Sequence, residues 1–196
     1  MLFENVPRSK LVDQWEIDGA LSIQSYYRGV EIAKPYIRLK LLTGLRRVDM
    51  LKLKLSDLKE DGIHVQPSKT RSTGNRLIFE WDDALRAVVD EIKQIKPRRI
   101  GNSNLFVTRQ GKPYIDANNK CNAFDSLWQR FMDKVLAETG VTERFQERDL
   151  RAKVASDSAS LVEASERLGH ASPEITKRIY RRKPVVVQPL KREPES

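Results

Sequence analysis

Seven bulky apolar residues between Asn119 and Thr139 recur at steps of three and four: Phe124, Leu127, Trp128, Phe131, Met132, Val135 and Leu136. An α-helix completes a turn in about 3.6 residues, so this spacing gathers all seven on one face. A helix striped in this way must lie against a core, and Gly140 follows it as a stop. A second stripe, Leu85, Val88, Val89, Ile92 and Ile95, runs through residues 83–96, with Asp82 as N-cap and Pro97 as terminator. The chain is thereby committed to helix-on-helix packing.

Other segments extend the pattern. Pro35 in a first turn and Gly44 at the end predict a helix around residues 36–42. Val48, Leu51 and Leu55 predict another over 46–55, and a short helix is expected over 14–26 behind an irregular lead-in at 1–13. Residues 148–180 read as several short helices broken near Gly169 and Pro173. The period changes in mid-chain. Gly62-Ile63-His64-Val65 and the segment Arg76 to Trp81 read as strands, joined by the polar, turn-rich stretch Pro67 to Asn75. This is a β-hairpin with a basic tip, and His64 in its alternating strand reads as structural. Residues 104–115 are short-stranded, with a turn at Gly111. The fold class is therefore α+β, mainly helical with a small antiparallel β-sheet.

Composition narrows the function. Lys plus Arg number 36 against 27 for Asp plus Glu, a net charge of +9, which favours a polyanionic partner, nucleic acid or an anionic membrane surface. No apolar run approaches the roughly 20 residues that span a bilayer, and no signal peptide is visible, so no membrane partner is expected. The single cysteine, Cys121, cannot form an internal disulfide, which fits a reducing, cytoplasmic setting. Cys121, His64 and His170 are too few and scattered for structural zinc, and Asp57, Asp82 and Asp83 lack the spacing of a two-metal nuclease. No metal and no cofactor is expected.

Four segments carry chemistry: Thr43-Gly44-Leu45-Arg46-Arg47-Val48-Asp49, Ser68-Lys69-Thr70, Arg148-Asp149-Leu150-Arg151, and Leu168-Gly169-His170 with Tyr180 ten residues on. In this order, from about Tyr36 onward, they resemble the tyrosine recombinases, most of all prophage integrases. The resemblance implies the tyrosine-recombinase catalytic-domain fold over residues 1–183, with 184–196 as an extended C-terminal tail. It assigns Arg46 and Arg151 as the arginines that grip the scissile phosphate. Lys69 corresponds to the lysine of the hairpin loop, His170 to the histidine of the Leu-Gly-His box, and Tyr180 to the nucleophile. Asp49 stands where the family carries an acid.

The residue types suit the reaction independently. Attack on a phosphodiester adds negative charge to the non-bridging oxygens, and two arginines meet it with planar, permanently protonated donor forks. The leaving 5′-oxygen needs a proton, which a loop lysine can supply as general acid. A tyrosine, ordinarily of pKa about 10, needs activation near neutral pH. The product would be a 3′-phosphotyrosyl link that conserves the bond energy, so rejoining needs no ATP. Arg71, Arg76, Arg181, Arg182 and Lys183 are weaker candidates for contacts to double-stranded DNA.

Two departures from the family matter. A histidine is usual three residues before the second arginine; here Arg148 stands there, and an arginine cannot act as a base. Only 45 residues precede Arg46, so the helical core-binding domain that clamps DNA in integrases is expected to be absent. The expected function is site-specific DNA recombination or integration. An impaired remnant that only binds DNA and a type IB topoisomerase-like relaxing activity are the alternatives. The β-prone run Val185-Val186-Val187 would suit tail exchange within a homotetramer on DNA.

Overall fold

A computed structural model describes residues 10–24, 27–68, 76–95, 103–170 and 173–180. Helix α1 (Gln14–Ser22) leads into α2 (Arg28–Thr43) and the short α3 (Arg47–Lys52). After a 3₁₀ turn at Leu55–Asp57 come strands β1 (Gly62–Val65) and β2 (Leu77–Glu80). Then follow α4 (Asp83–Gln94), α5 (Asn122–Glu138), α6 (Glu147–Asp157), α7 (Leu161–Leu168) and α8 (Pro173–Ile179). The strands pair antiparallel, with Gly62 opposite Glu80 and Val65 opposite Leu77. The mainly helical α+β architecture read from the sequence is what the chain adopts.

Helix α2 is the central pillar and packs against α4, α5 and α6. It begins at Arg28, seven residues ahead of Pro35, so Pro35 lies inside the helix rather than in its first turn. An interior proline costs about 3 kcal/mol. Burial of Val30, Ile32, Tyr36, Ile37 and Leu39 along the same helix, each worth about 1.5–3 kcal/mol, outweighs it. Helix α1 stops at Ser22 instead of reaching residue 26. Ile23 turns into the core with extended backbone, and its carbonyl accepts the Lys34 ammonium at 2.6 Å.

The main core centres on Tyr36, Phe106, Phe124, Trp128, Phe131 and Phe145, with Tyr36 and Phe124 ring centroids 4.5 Å apart. The predicted stripe of α5 supplies half of it. That helix starts at Asn122, three residues later than its apolar period suggested, because the Asp116 carboxylate accepts the amides of Asn118 and Lys120 and closes a turn there. Asp82 caps α4 as read, accepting the Leu85 amide at 2.7 Å. Residues 104–115 make only isolated bridges, Lys54 to Asn104 and Val107 to Pro113. A smaller cluster of Val154, Ala155, Ala164 and Leu168 joins α6 to α7, with Leu41 and Tyr180 packed on it. This cluster positions the site.

Candidate functional site

Two helix ends are built alike. At the end of α2, Gly44 adopts the left-handed conformation (φ 65°) and its N–H donates to the Lys40 carbonyl at 2.7 Å. At the end of α7, Gly169 (φ 59°) donates to Glu166, and the His170 amide reaches back to the Ser165 carbonyl at 3.0 Å, closing a Schellman turn. Glycine is favoured at both because a side chain there is strained. At Gly44 a Cβ would also lie 2.7 Å from Leu168 Cδ2. Each turn is closely followed by a candidate site residue. Arg46 follows Gly44 as N-cap of α3, with extended backbone (ψ 150°), and His170 follows Gly169.

Arg151, on the buried face of α6, ties the two ends together. Its Nη1 donates to the Gly44 carbonyl and its Nη2 to the Leu168 carbonyl at 2.9 Å. These carbonyls lie at helix C-termini, whose dipoles favour a cation. Nη2 also meets His170 Nε2 at 3.0 Å. Three of the five guanidinium donors are thus engaged, and the buried Nε–H has no acceptor among the described residues. Burial and the neighbouring Arg46 charge push this guanidinium down to about 10, partly offset by the Tyr180 hydroxyl and the Asp49 carboxylate. It is therefore a full cation at neutral pH, and Arg46, Asp49 and Tyr180 all lie close enough to act on it.

Tyr180 closes the cluster from α8. The Arg151 guanidinium carbon lies 5.1 Å from its ring centroid, and the His170 ring centroid is 4.9 Å away. Its main chain is held on both sides: the amide donates to Thr176 at 3.0 Å, and the carbonyl accepts the Ser156 hydroxyl at 3.3 Å.

Asp49 is buried, and its Oδ1 accepts the Ser68 amide at 2.8 Å. It does not form a surface pair with Arg46; it anchors the residue just before the basic loop. Arg47 instead pairs with Asp125 at 2.5 Å. Arg148 is exposed in the first turn of α6 and makes no hydrogen bond or ion pair among the described residues. It shares an open cleft with Arg47, Gln129, Arg144 and Gln146. Arg76 is exposed where the hairpin resumes. Lys69, Arg71, Arg181, Arg182 and Lys183 lie outside the described residues, as does the tail 184–196. His64 on β1 bonds Asp61 at 2.7 Å and lines a cavity with Asp49 and Ser68. No group of three His, Cys, Asp or Glu side chains that could hold a metal occurs among the described residues, and none of their helices is long and apolar enough to cross a membrane.

Sequence reasoning missed two supports. Thr176 is fully buried and bonds His170 Nδ1 at 2.6 Å. Its only sequence signal is its place one helical turn before Tyr180. Beneath the N-terminus of α6, the buried Lys40 ammonium bonds Glu147 at 2.7 Å, and the Tyr36 hydroxyl donates to the same carboxylate at 3.1 Å. Burial pulls the Lys40 ammonium below its ordinary value despite Glu147. Burial pushes the Glu147 carboxyl up, but Lys40, Arg47 and Tyr36 together hold it below the usual carboxylate range. Lys40 is a charge interleaved in an apolar run, and no local signal marks its partner.

The sequence matches the model of the phage integrase family over residues 20–185. No curated protein sequence matches it significantly. Among solved structures, it resembles a lambda integrase (75–356) dimer bound to a COC′ core site, with TM-score 0.64, 20% identity, and coverage of 97% of this chain and 65% of that one. The XerA recombinase aligns with TM-score 0.68 and 17% identity over 89% of this chain and 61% of its own. The Tn1549 transposon integrase (aa 82–397, R225K) with circular intermediate DNA aligns with TM-score 0.70 and 14% identity, over 91% and 63%. The chain thus spans less than two thirds of each.

Proposed function

Since the chain belongs to the phage integrase family, we propose that it cleaves and rejoins DNA strands through Tyr180 in site-specific recombination. The observation that carries the proposal is the single cluster in which Arg151 touches both His170 and Tyr180 while lying within electrostatic reach of Arg46. A guanidinium touching an imidazole and a phenol, with a second guanidinium near enough to act on it, suits the binding of a phosphate.

In the proposed reaction, the Tyr180 hydroxyl gives its proton to bulk water, its oxygen attacks the scissile phosphorus, and the bond from phosphorus to the 5′-oxygen breaks. Arg46 and Arg151 neutralise the charge that builds on the non-bridging oxygens, with donors fixed before the reaction begins. Lys69 protonates the departing 5′-oxygen, and the Asp49–Ser68 bond steadies the start of its loop. Rejoining reverses the step when a 5′-hydroxyl attacks the phosphotyrosine. The lambda integrase tetramer bound to a Holliday junction, a neighbour with TM-score 0.65 and 19% identity over 96% of this chain and 52% of that one, supports self-association on DNA. The β-prone tail from Pro184 would serve that contact between copies.

Arg148 favours a second reading, an impaired protein that binds DNA without cutting it. An exposed arginine with no partner among the described residues can hold a phosphate but cannot take the Tyr180 proton. A pool of nicked suicide duplexes, incubated in EDTA, separates the two. A denaturant-resistant adduct lost in Tyr180→Phe supports cleavage; salt-sensitive binding with no adduct supports the second reading.

A further inference from the structure

The hydrogen bonds around His170 fix where its proton sits. Arg151 can only donate, so His170 Nε2, 3.0 Å from Nη2, must be the unprotonated nitrogen. The ring proton is then on Nδ1, 2.6 Å from the Thr176 hydroxyl, which accepts it. Thr176 is fully buried on α8, and its carbonyl accepts the Tyr180 amide at 3.0 Å. One residue therefore holds the histidine tautomer through its side chain and the last turn before the tyrosine through its main chain.

We propose that Thr176 is a positioning residue that locks His170 in its Nδ1–H form and so keeps Arg151 and Tyr180 in register. The inference rests on the proposed function for its catalytic meaning, but not for its structural content. The lock joins three helices. The Schellman turn at Gly169 presents the ring, α6 supplies Arg151, and α8 supplies the acceptor. Arg151 from α6 and Tyr180 from the end of α8 face the ring, and Arg46 and Asp49 act on Arg151 in turn. Protonation of His170 would remove the Nε2 acceptor and set a third cation beside Arg151 and Arg46. Loss of the Thr176 hydroxyl opens the lock.

The test reads the ring directly. Nitrogen-15 NMR of the full chain distinguishes histidine tautomers, and His64→Gln assigns the second histidine. The expected result at pH 8 is an Nδ1–H ring for His170 in the wild type and in Thr176→Ser, and a mixed or Nε2–H ring in Thr176→Val. With the nicked duplex, Thr176→Val is expected to form adduct roughly tenfold more slowly, the usual scale of one lost buried hydrogen bond. Its pH profile should also shift, while Thr176→Ser restores both. Thermal melting shows whether Thr176→Val is folded, and the wild-type ring decides the matter without any variant. An Nε2–H ring in the wild type overturns the inference, as does a Thr176→Val protein with unchanged tautomer and pH profile. If no protein forms adduct, the proposed cleavage fails, and the NMR result still judges the lock.

Discussion

Replacing Gly44 with alanine probes the frame that delivers both Arg46 and Arg151. Two costs are separable. The first is backbone strain, since φ is 65° and a Cβ in that region costs about 1–2 kcal/mol. The second is overlap, because the new methyl would stand 2.7 Å from Leu168 Cδ2 and 3.1 Å from Val154 Cγ1. Overpacking of this kind costs about 1–3 kcal/mol. The sum, about 2–5 kcal/mol, is a large part of a typical domain's stability. Gly140 is the control. Nothing lies within 4 Å of its Cβ position and its φ is not positive, so Gly140→Ala should be neutral or stabilising by up to about 1 kcal/mol. Urea unfolding of Gly44→Ala, Leu168→Ala and the double variant forms a cycle. Leu168→Ala should relieve the overlap and leave the strain, giving a coupling of about 1–3 kcal/mol. Additive costs, or a Gly44→Ala protein as stable as Gly140→Ala, would refute the account of this turn.

Four further outcomes follow from the same geometry. Lys40→Met strands the Glu147 carboxylate and should destabilise the fold by about 3–5 kcal/mol, whereas Lys40→Met with Glu147→Gln recovers much of that; melting curves decide. Glu147 is held below its unfolded value, so its contribution is complete above about pH 5 and is lost as pH falls through the folded value. The wild-type melting temperature should therefore drop towards pH 3 more steeply than that of Glu147→Gln. Arg148→His should raise adduct formation on a nicked duplex, because a histidine can accept the Tyr180 proton; an unchanged rate contradicts the role given to position 148. DNA affinity should fall steeply with salt if phosphate contacts carry it, as the net charge of +9 implies; a flat titration contradicts that.

What could be read from the sequence was what the chain repeats or punctuates. The α5 stripe, the Asp82 cap and the terminal Gly44 are local signals, and each names its own element. The interior Pro35 misled because a proline's preference for a first turn is local, while the burial that keeps α2 continuous comes from α4, α5 and α6. Arg46, Arg151, His170 and Tyr180 were nameable from motif order. Their shared role at one phosphate implied that they meet; how they meet was not legible, because it depends on two glycine turns far apart in sequence meeting one guanidinium. Thr176 and the pair Lys40–Glu147 stayed hidden for the same reason: their partners lie on other helices, and no spacing rule marks them.

Peptide mapping by mass spectrometry, after trapping on a nicked duplex, asks where the DNA is attached. The account predicts a single nucleotide-bearing peptide, modified at Tyr180, whose yield collapses in Arg46→Ala and Arg151→Ala while folding persists. Attachment at any other residue, or a Tyr180 adduct formed equally well without either arginine, would contradict it.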